Sequence, residues 1–546
     1  MPLRAAGVRI PAARNGMTGI PAASRTLIAA LQQADVYDHP AQAIELIETH
    51  ISWVILTGDY VYKIKKPVDL GFLDFSTLGK RRHCCTEEVR LNRRLAPDLY
   101  LGVVAITGTP ERPQPGGTGA VIEYAVQMAQ FPQQAQFDRM LARGELTAAH
   151  IDAVAQLIAD FHRQADVAGA DTAFGDPGTV FRPIEENFRQ VRDCIGQDAP
   201  ALEQLAVLEH WSLETFERLR GVIGSRKAGG FVRECHGDLH LRNLAWVDDR
   251  PLAFDCIEFN PALRWIDVIS EVAFLVMDLQ DHEQAQLARR FLNGYLEHGG
   301  DYAGVRVLPF YLAYRAMVRA KVEAIRVSQP GTDGAVRDAG LDAFHGYLGL
   351  AGHYTAASQP VLLVTRGLSA SGKTTLTQPL LEQLGAIRIR SDVERKRLFD
   401  LPAQADGQAA VGQGIYTPEA GRRTYARLAE LAGTVLEAGF SVIVDAACLK
   451  TEQLALFRAL ADRCGVACVI LEFHAPADVL RARIVQREKG ASDADLSVLE
   501  HQLANWQALP ESDAASCIRI DTQAAFDVAA VQARIEALGA VSRTSL

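Results

Sequence analysis

Residues 236–243 combine side-chain types that act in phosphoryl transfer. The segment reads His-Gly-Asp-Leu-His-Leu-Arg-Asn, so the carboxylate of Asp238 lies five positions before the amide of Asn243. A second carboxylate, Asp255, follows after two short apolar runs separated by turn residues 248–250, a pattern that predicts a hairpin returning Asp255 to Asn243. Hard oxygen atoms suit Mg²⁺, and a carboxylate beside an acceptor hydroxyl can orient it and take its proton. The spacing therefore predicts Asp238 as a catalytic base, with Asn243 and Asp255 as magnesium ligands.

Two other interpretations of this segment compete with the first. The residues are also typical of a simple turn-rich loop. His236 and His240, spaced i and i+4, are also a zinc-ligand spacing, but Gly237 and the lack of a clear third ligand argue against zinc.

A second phosphate-binding pattern begins at Gly367. The apolar run 361–365 leads into Gly-Leu-Ser-Ala-Ser-Gly-Lys-Thr, and a helical leucine pattern follows. This is a complete P-loop motif between a strand and a helix, although a Gly/Ser turn before a helix is the plainer alternative. Backbone N–H groups would surround a phosphate, the lysine would reach the β- and γ-phosphates, and the first threonine hydroxyl would bind Mg²⁺. The predicted nucleotide-binding residues are Gly367, Ser369, Ala370, Ser371, Gly372, Lys373, Thr374 and Thr375.

Further candidates follow the strands of the C-terminal half. The apolar run 440–445 ends in Asp445, which suits the water shell of a metal or, alternatively, the cap of the next turn. The run 387–392 is predicted as a strand that ends in Asp392, the candidate base of this half. Arg483 and Arg487 share a helix face and are predicted to clamp phosphates, against the alternative of a solvated basic face.

Strand and helix patterns indicate how these residues are held. Residues 54–56 and 60–65 are strand-like around a turn, 87–95 is helical, and 108–119 is rich in Gly and Pro and predicted to be a loop. Helical periodicity dominates residues 146–350, and strand–helix alternation after residue 361 predicts a parallel sheet. We expect a tail at 1–25, a first domain at 26–350, a linker at 351–360 and a second domain at 361–546.

Composition excludes several classes of protein. The chain has 546 residues, of which 48% are hydrophobic and 22% charged, as in ordinary globular proteins. Its net charge of −10 gives no support to nucleic-acid or anionic-membrane binding. No apolar run is long enough to predict a membrane span, and the Arg-rich start lacks the apolar region of a secretory signal. We favour a frayed tail, or translation that starts at Met17, over a transit peptide. Nine scattered cysteines predict reduced thiols in the cytoplasm.

The first half resembles the aminoglycoside phosphotransferase and choline kinase branch of the protein-kinase-like fold. The resemblance lies in the loop His236, Gly237, Asp238, His240 and Asn243, followed by Asp255 at a strand end. It implies Asp238 as base, with His236 in the same catalytic loop, and Asn243 and Asp255 as Mg²⁺ ligands.

This fold also implies a strand lysine on the ATP phosphates, paired with a helix glutamate. Lys63 in the run 60–63 fits that role, and Lys65, which lies on the same strand face, is an open alternative. We select Glu88 over Glu87 as the glutamate.

Three acidic residues after the loop have two open interpretations. Asp267, Glu271 and Asp278 lie at helical spacings in an apolar stretch. They are candidates either for an acceptor pocket or for structural pairing with Arg315 or Arg319.

The second half resembles P-loop kinases of the gluconate kinase, adenylate kinase and chloramphenicol phosphotransferase type. The order of the two halves resembles bifunctional aminoglycoside phosphotransferase/ATP-binding proteins, over nearly everything after residue 26. The implied fold class is a bilobal kinase-like α+β fold followed by a P-loop α/β fold.

The expected function is ATP- and Mg²⁺-dependent phosphorylation of a small hydroxylated molecule, such as a sugar, amino alcohol or nucleotide, at two sites. In the alternative, one half, preferably the P-loop half, is an ATP-binding regulatory module. No nucleic-acid partner is expected, and the sequence leaves the oligomeric state open.

Overall fold

A computed structural model describes residues 20–41, 43–69, 73–196, 198–329, 333–403, 414–486 and 495–539. Arg487, one of the two predicted clamp arginines, lies outside the described residues. The strands are β1 Glu45–Glu48, β2 Ser52–Leu56, β3 Tyr60–Lys65, β4 Tyr100–Thr109, β5 Arg112–Pro115, β6 Val121–Ala129, β7 Val232–Glu234, β8 Leu244–Val247, β9 Arg250–Ala253, β10 Trp265–Asp267, β11 Val361–Arg366, β12 Ile387–Arg390, β13 Val442–Asp445, β14 Ala467–His474 and β15 Cys517–Asp521.

The helices are also numbered along the chain. They are α1 Ala22–Ala30, α2 Leu78–Asn92, α3 Phe137–Ala142, α4 Ala148–Gln164, α5 Pro177–Ile195, α6 Ala199–Ala228, α7 Pro261–Arg264, α8 Val268–Asp281, α9 Ala285–Gly299, α10 Leu308–Ser328, α11 Gly334–His353, α12 Lys373–Leu384, α13 Ser391–Arg397, α14 Pro418–Glu437, α15 Thr451–Cys464, α16 Ala477–Gln486, α17 Leu496–Ala504, α18 Glu511–Ala514 and α19 Val528–Gly539. None of the helices in the described ranges has the length and apolar character needed to cross a membrane.

The chain divides into two compact units that do not follow a single cut in the sequence. The first contains residues up to Asp278, apart from Ile158–Asp160, and also Tyr314–Leu348. The second contains Leu279–Ala313 and everything from Gly349. A cut near residue 350 stays a prediction, but the segment Leu279–Ala313 groups with the P-loop unit.

The first unit opens with an antiparallel sheet in the order β1-β2-β3-β6-β4-β5. The predicted hairpin around residues 57–59 is confirmed, because β2 pairs with β3 and places Lys63 opposite Val54. Apolar side chains on one face of this sheet pack in a core with Trp53, Ile55 and Ile64. Helix α2 contacts β4 and β6, which brings Glu88 towards the middle strand β3.

The prediction of a loop over residues 108–119 is wrong in part. β4 extends to Thr109 and pairs with β5, which spans Arg112–Pro115 and contains two prolines. Proline lacks an N–H donor but is tolerated where a strand has a free edge, and β5 is the last strand of the sheet. The Gly- and Pro-rich composition hid an edge strand.

The rest of the first unit is mainly helical, as predicted. The short hairpin β8–β9 is confirmed, with turn residues Asp248 and Asp249 both at positive φ. β7 pairs with β10, which leads directly into α8. These pairings place the loop 235–243 and the residues after β9 beside α8.

The second unit is built on a parallel sheet in the order β12-β13-β11-β14-β15. All six residues of the central strand β11 are buried, as expected for a parallel strand covered on both faces. The carboxyl ends of parallel strands meet at one edge, where ligands bind in open α/β sheets. That edge carries the loop after β11, Asp445 at the end of β13 and the start of α13 after β12.

Candidate active sites

Asp238 lies in a hydrogen-bonded loop between β7 and β8. Asn243 Nδ2 donates to the backbone oxygen of Asp238 at 3.0 Å and to its Oδ2 at 3.2 Å. His240 Nε2 lies 3.3 Å from the same Oδ2, and the Asp238 side chain is 37% exposed. Burial favours the neutral acid, but His240, His236 and Arg319 outweigh it and hold the pKa of Asp238 well below its usual value. The carboxylate is thus ionised at neutral pH and reachable by a small molecule.

His236 is a structural anchor of this loop. Its Nε2 lies 2.9 Å from the carbonyl oxygen of Phe254, which can only accept, and its Nδ1 accepts the Asp238 N–H at 3.3 Å. Burial lowers the pKa of His236, consistent with this neutral tautomer. Because both ring nitrogens are engaged, the arrangement gives no support to zinc on His236.

Gly237 fixes the loop from the other side. Its N–H donates to Glu271 Oε2 at 2.6 Å, and Glu271 Oε1 lies 2.9 Å from His162 Nε2. Gly237 has φ +89°, and a Cβ there would lie 2.9 Å from the backbone oxygen of Leu263. His162, Cys235 and Glu271 are close enough together to hold a metal ion, but Glu271 already accepts hydrogen bonds from the loop and the histidine. We interpret the group as an anchor.

Lys63, Glu88 and Asp255 meet at the centre of the first unit. Lys63 Nζ lies 2.8 Å from Glu88 Oε1 and also donates to Asp255 Oδ1. Asp255 has φ +65°, and its N–H donates to Tyr100 Oη at 3.1 Å. Although burial opposes it, Lys63 lowers the pKa of Asp255, so the carboxylate is available as a metal ligand. The predicted lysine, glutamate and aspartate are therefore brought together.

Lys65 occupies a different position from Lys63. Its Nζ donates to Glu88 Oε2 and to Glu258 Oε1, and its side chain is fully buried. Lys63 is 11% exposed and contacts Asp255, whose side chain is 45% exposed. Of the two lysines, Lys63 is therefore the better placed to reach a phosphate. Lys66, on the other face, pairs with Glu48 at 2.6 Å.

The three acidic residues offered as an acceptor pocket have internal partners. Asp267 pairs with Arg226 at 2.6 Å, Glu271 holds the loop, and Asp278 Oδ2 accepts the Leu241 N–H at 2.9 Å. All three are nearly fully buried. Their structural interpretation is favoured. Of the two predicted arginine partners, Arg319 interacts electrostatically with Asp278, whereas Arg315 bonds to Ser270 and Gly237.

The P-loop of the second unit has the expected geometry. Gly367 has φ +153°, and a Cβ there would lie 2.6 Å from the backbone oxygen of Phe473. Lys373 Nζ donates to the backbone oxygens of Gly367 and Leu368 at 2.9 and 2.8 Å. Thr374 begins the first turn of α12, and its hydroxyl donates to Asp445 Oδ2 at 2.7 Å. This hydroxyl–carboxylate pair lies where a P-loop holds Mg²⁺.

Two side chains from distant segments also contact the P-loop. Ser369 N–H donates to Gln502 Oε1 of α17 at 2.7 Å. Arg483 of α16 donates to Ala370 O at 3.4 Å and to Thr522 Oγ1 at 2.9 Å. Arg483 thus lies against the loop, as expected of a phosphate clamp.

Asp392 differs from its predicted place at a strand end. β12 stops at Arg390, and Ser391 starts α13, so Asp392 lies in the first helical turn. Carboxylates are favourable there because the helix N-terminus is electropositive. Its side chain is 33% exposed and lies 3.5 Å from Arg395.

Several residues near the sites were missed by sequence reasoning. Glu258 lies three positions beyond Asp255, and its buried ion pair with Lys65 has no local signature. Gln502 and Glu297 are ordinary polar residues in helices, and only tertiary contacts show their relation to the sites.

Two family models match successive parts of the chain. The profile described as "Phosphotransferase enzyme family" matches residues 114–308, and the one described as "AAA domain" matches residues 362–509. Uncharacterized proteins of Mycobacterium tuberculosis (strain ATCC 25618 / H37Rv) and Mycobacterium bovis (strain ATCC BAA-935 / AF2122/97) are each 32% identical over 466 residues. The alignment covers 85% of this chain and 91% of each relative.

Solved structures of kinases match parts of the chain. A sugar kinase from Janibacter sp. HTCC2649 is 23% identical and covers 33% of this chain and 94% of its own, with a TM-score of 0.27. An amicoumacin kinase in complex with AMP-PNP, Ca²⁺ and Ami is 13% identical, covering 59% of this chain and 93% of its own, with a TM-score of 0.38. A choline/ethanolamine kinase family protein from Mesorhizobium loti is 11% identical, covering 60% and 99%, with a TM-score of 0.36.

The two family matches occur in the order that the sequence motifs predict, and the mycobacterial relatives extend the similarity over most of the chain. The protein has a kinase-like phosphotransferase fold followed by a P-loop kinase-like fold. It belongs to the bifunctional aminoglycoside phosphotransferase/ATP-binding protein family.

Proposed function

We propose that the protein is an ATP- and Mg²⁺-dependent phosphotransferase with two nucleotide sites, each transferring the γ-phosphate to a hydroxyl group of a small molecule. The observation that carries the proposal is the convergence of Asp238, Asn243, Asp255 and Lys63 in one unit of the chain. A complete P-loop with its hydroxyl–carboxylate pair supports the second site. The nine free cysteines are consistent with a reducing compartment, and we place the enzyme in the cytoplasm.

The residues of the first site fit a magnesium ion. Asn243 uses its Nδ2 to hold Asp238, which leaves its amide oxygen for a ligand, and Asp255 supplies an ionised carboxylate. Both are hard oxygen donors of the kind that Mg²⁺ prefers. Asn243 and Asp255 would hold the ion, which would supply positive charge to the ATP phosphates. Lys63, held by Glu88, adds a second positive charge on the phosphates.

Asp238 carries out the proton transfer in this mechanism. It accepts a hydrogen bond from the acceptor hydroxyl and aligns the oxygen for in-line attack on the γ-phosphorus of ATP. As the new P–O bond forms, the bond to the bridging oxygen breaks and ADP leaves. The hydroxyl proton passes to Asp238 late, as suits a carboxylate of low pKa.

In the second unit, backbone N–H groups of the P-loop and Lys373 would bind the phosphates. Thr374 and Asp445 would hold Mg²⁺, directly and through water. Asp392 at the start of α13 is the proposed base, and Arg483, which contacts the backbone oxygen of Ala370 in the loop, is the proposed phosphate clamp. The acceptor in each site is a hydroxylated small molecule, with no role for nucleic acid.

The test is transfer of labelled γ-phosphate from ATP·Mg²⁺ into a fractionated small-metabolite extract. Wild type is compared with Asp238→Asn and Lys373→Ala, and the product mass identifies the acceptor. We expect a labelled product whose amount falls by a factor of about 10² or more in one of the two variants. No labelled product from a wild type that binds ATP at both sites would overturn the proposal.

The alternative is that the P-loop unit is an ATP-binding regulatory module. The contact of Gln502 with Ser369 N–H favours it, because that side chain has to move when a phosphate binds and is thus a natural sensor. Under this alternative, Lys373→Ala abolishes the ATP dependence of regulation and leaves transfer at Asp238 intact. A transfer product lost specifically in Lys373→Ala would exclude it.

A further inference from the structure

Helix α9 covers the free edge of the P-loop sheet. β12 is the outermost strand, and its exposed backbone groups need partners. The side chain of Asn293 supplies two of them: its Nδ2 donates to Ala386 O at 3.1 Å, and its Oδ1 accepts the Arg388 N–H at 2.8 Å. α9 lies within the match to the phosphotransferase family, 114–308, yet it groups with the P-loop unit.

The last turn of α9 contacts the basic residues at the end of β12. Glu297 Oε1 lies 2.7 Å from Arg390 Nη1, and Glu297 Oε2 lies 3.8 Å from Arg388 Nη2. In the described part of the chain, the Arg390 side chain has no other hydrogen bond, so Glu297 sets its direction. Arg390 is two residues before Asp392. Although burial opposes it, the negative charges of Asp445 and Asp392 help to raise the pKa of Arg390.

The end of α9 is also fixed to α13. Arg397 Nη2 donates to the backbone oxygen of Glu297 at 2.6 Å. Gly300, which ends the helix at φ +77°, leaves room for this contact, because a Cβ there would lie 2.8 Å from Arg397 Nε. The carboxylate of Glu297 is therefore held in place from both its backbone and its side chain.

We propose that Glu297 is a positioning residue of the P-loop site, which acts by holding Arg390 beside Asp392 where the acceptor binds. A helix that the sequence assigns to the phosphotransferase half thereby completes the acceptor site of the P-loop half. The inference rests on the proposed function, because it concerns an acceptor at that site.

The test uses the full chain with Asp238→Asn as the parent, so that labelled transfer reports on the P-loop site. Glu297→Gln is added to this parent, and transfer is measured at several concentrations of the metabolite extract. The matched control is Glu382→Gln. Glu382 pairs with Arg290 of α9 at 2.8 Å, and their side chains are 19% and 21% exposed. The side chains of Glu297 and Arg390 are similarly exposed, at 21% and 17%.

We expect Glu297→Gln to raise the extract concentration needed for half-maximal transfer about tenfold, with little change in maximal transfer. Glu382→Gln should match the parent, and the thermal unfolding midpoints of the two variants should agree. Parent-like transfer by Glu297→Gln would overturn the inference, as would equal losses in both variants.

This experiment distinguishes failure of the proposed function from failure of the inference about Glu297. A parent that labels nothing, although its P-loop is intact, means that this unit is not a kinase, and the inference then falls with the proposed function. A parent that transfers phosphate and is indifferent to Glu297 overturns the inference alone.

Discussion

At the scale of single residues, two lysines share one carboxylate. Lys63 and Lys65 donate to different oxygens of Glu88, and each has a second acidic partner, Asp255 or Glu258. The partners determine the expected roles. Lys63 joins the helix glutamate to the proposed metal ligand, whereas Lys65 is enclosed with Glu258 and neutralises buried charge.

Replacing each lysine by methionine should therefore have different effects. Lys63→Met should lower labelled transfer at the first site about 10²-fold, because it removes the positive charge that binds the phosphates. Lys65→Met should instead lower the free energy of unfolding of the first unit by about 3–5 kcal/mol, because it leaves buried carboxylates unpaired. Transfer assays and urea unfolding of both variants check this. The reverse pattern would assign the phosphate role to Lys65.

The contacts of Glu271 with the loop at Gly237 predict a pH dependence of stability. Burial alone would raise the pKa of Glu271, but hydrogen bonds and charge from His162 lower it to about 2, from its usual 4.5. The resulting stabilisation is fully present above pH 4.5 and is lost as pH falls through 2, and it amounts to about 3 kcal/mol.

Glu271→Gln should accordingly be less stable than wild type at pH 6, and the difference should narrow as pH falls below 4.5. Urea unfolding between pH 6 and pH 3 measures the free energy of unfolding of both proteins as a function of pH. Glu214→Gln is the control, since Glu214 is an exposed partner of His210. A stability difference that does not vary with pH would contradict the lowered pKa.

At the scale of elements, α17 supplies a contact that competes with nucleotide. Gln502 accepts the Ser369 N–H, a backbone donor that the P-loop motif assigns to phosphate. Arg481 of α16 pairs with Glu500 at 2.7 Å and helps to hold α17 there. Binding of a phosphate at this N–H requires Gln502 to leave.

Gln502→Ala should therefore tighten nucleotide binding to the P-loop by about two- to tenfold. In the variant, the phosphate no longer has to displace the Gln502 side chain from the Ser369 N–H. Calorimetric titration with ADP·Mg²⁺ measures the affinity in a Lys63→Met protein, whose first site lacks its proposed phosphate lysine. His501→Ala, at an exposed neighbouring position, is the control. Weaker binding by Gln502→Ala would mean that this side chain contacts the nucleotide itself.

The loop at Asp238 and the P-loop could be predicted because their residues lie within a few positions of each other, and strand alternation placed Lys63 and Lys65 on one face. The roles of Glu297 and Gln502 could not be predicted, because their own helices carry no distinguishing pattern. Glu297 contacts Arg390, 93 positions away, and Gln502 contacts Ser369, 133 positions away.

Two local errors have physical causes as well. The strand β5 was missed because proline usually excludes a strand, and only its place at the sheet edge makes it acceptable. Asp392 was assigned to a strand because residues 387–390 are strand-forming, and the helix α13 begins one residue earlier than the carboxylate. Boundaries of this kind depend on caps and turns more than on periodicity.

At the scale of the whole molecule, the chain joins a kinase-like phosphotransferase fold to a P-loop kinase-like fold. Each unit holds its own candidate phosphate lysine, metal ligands and base, and the described residues of the two sets do not overlap. The account therefore predicts two nucleotide sites that are lost independently.

The most direct test is the number of nucleotides bound per chain. Equilibrium dialysis with a labelled non-hydrolysable ATP analogue and Mg²⁺ should give two per chain for wild type. Lys373→Ala should bind one, with the affinity of the remaining site changed by less than about twofold. A wild type that binds a single nucleotide, or a Lys373→Ala protein that binds none, would contradict the account.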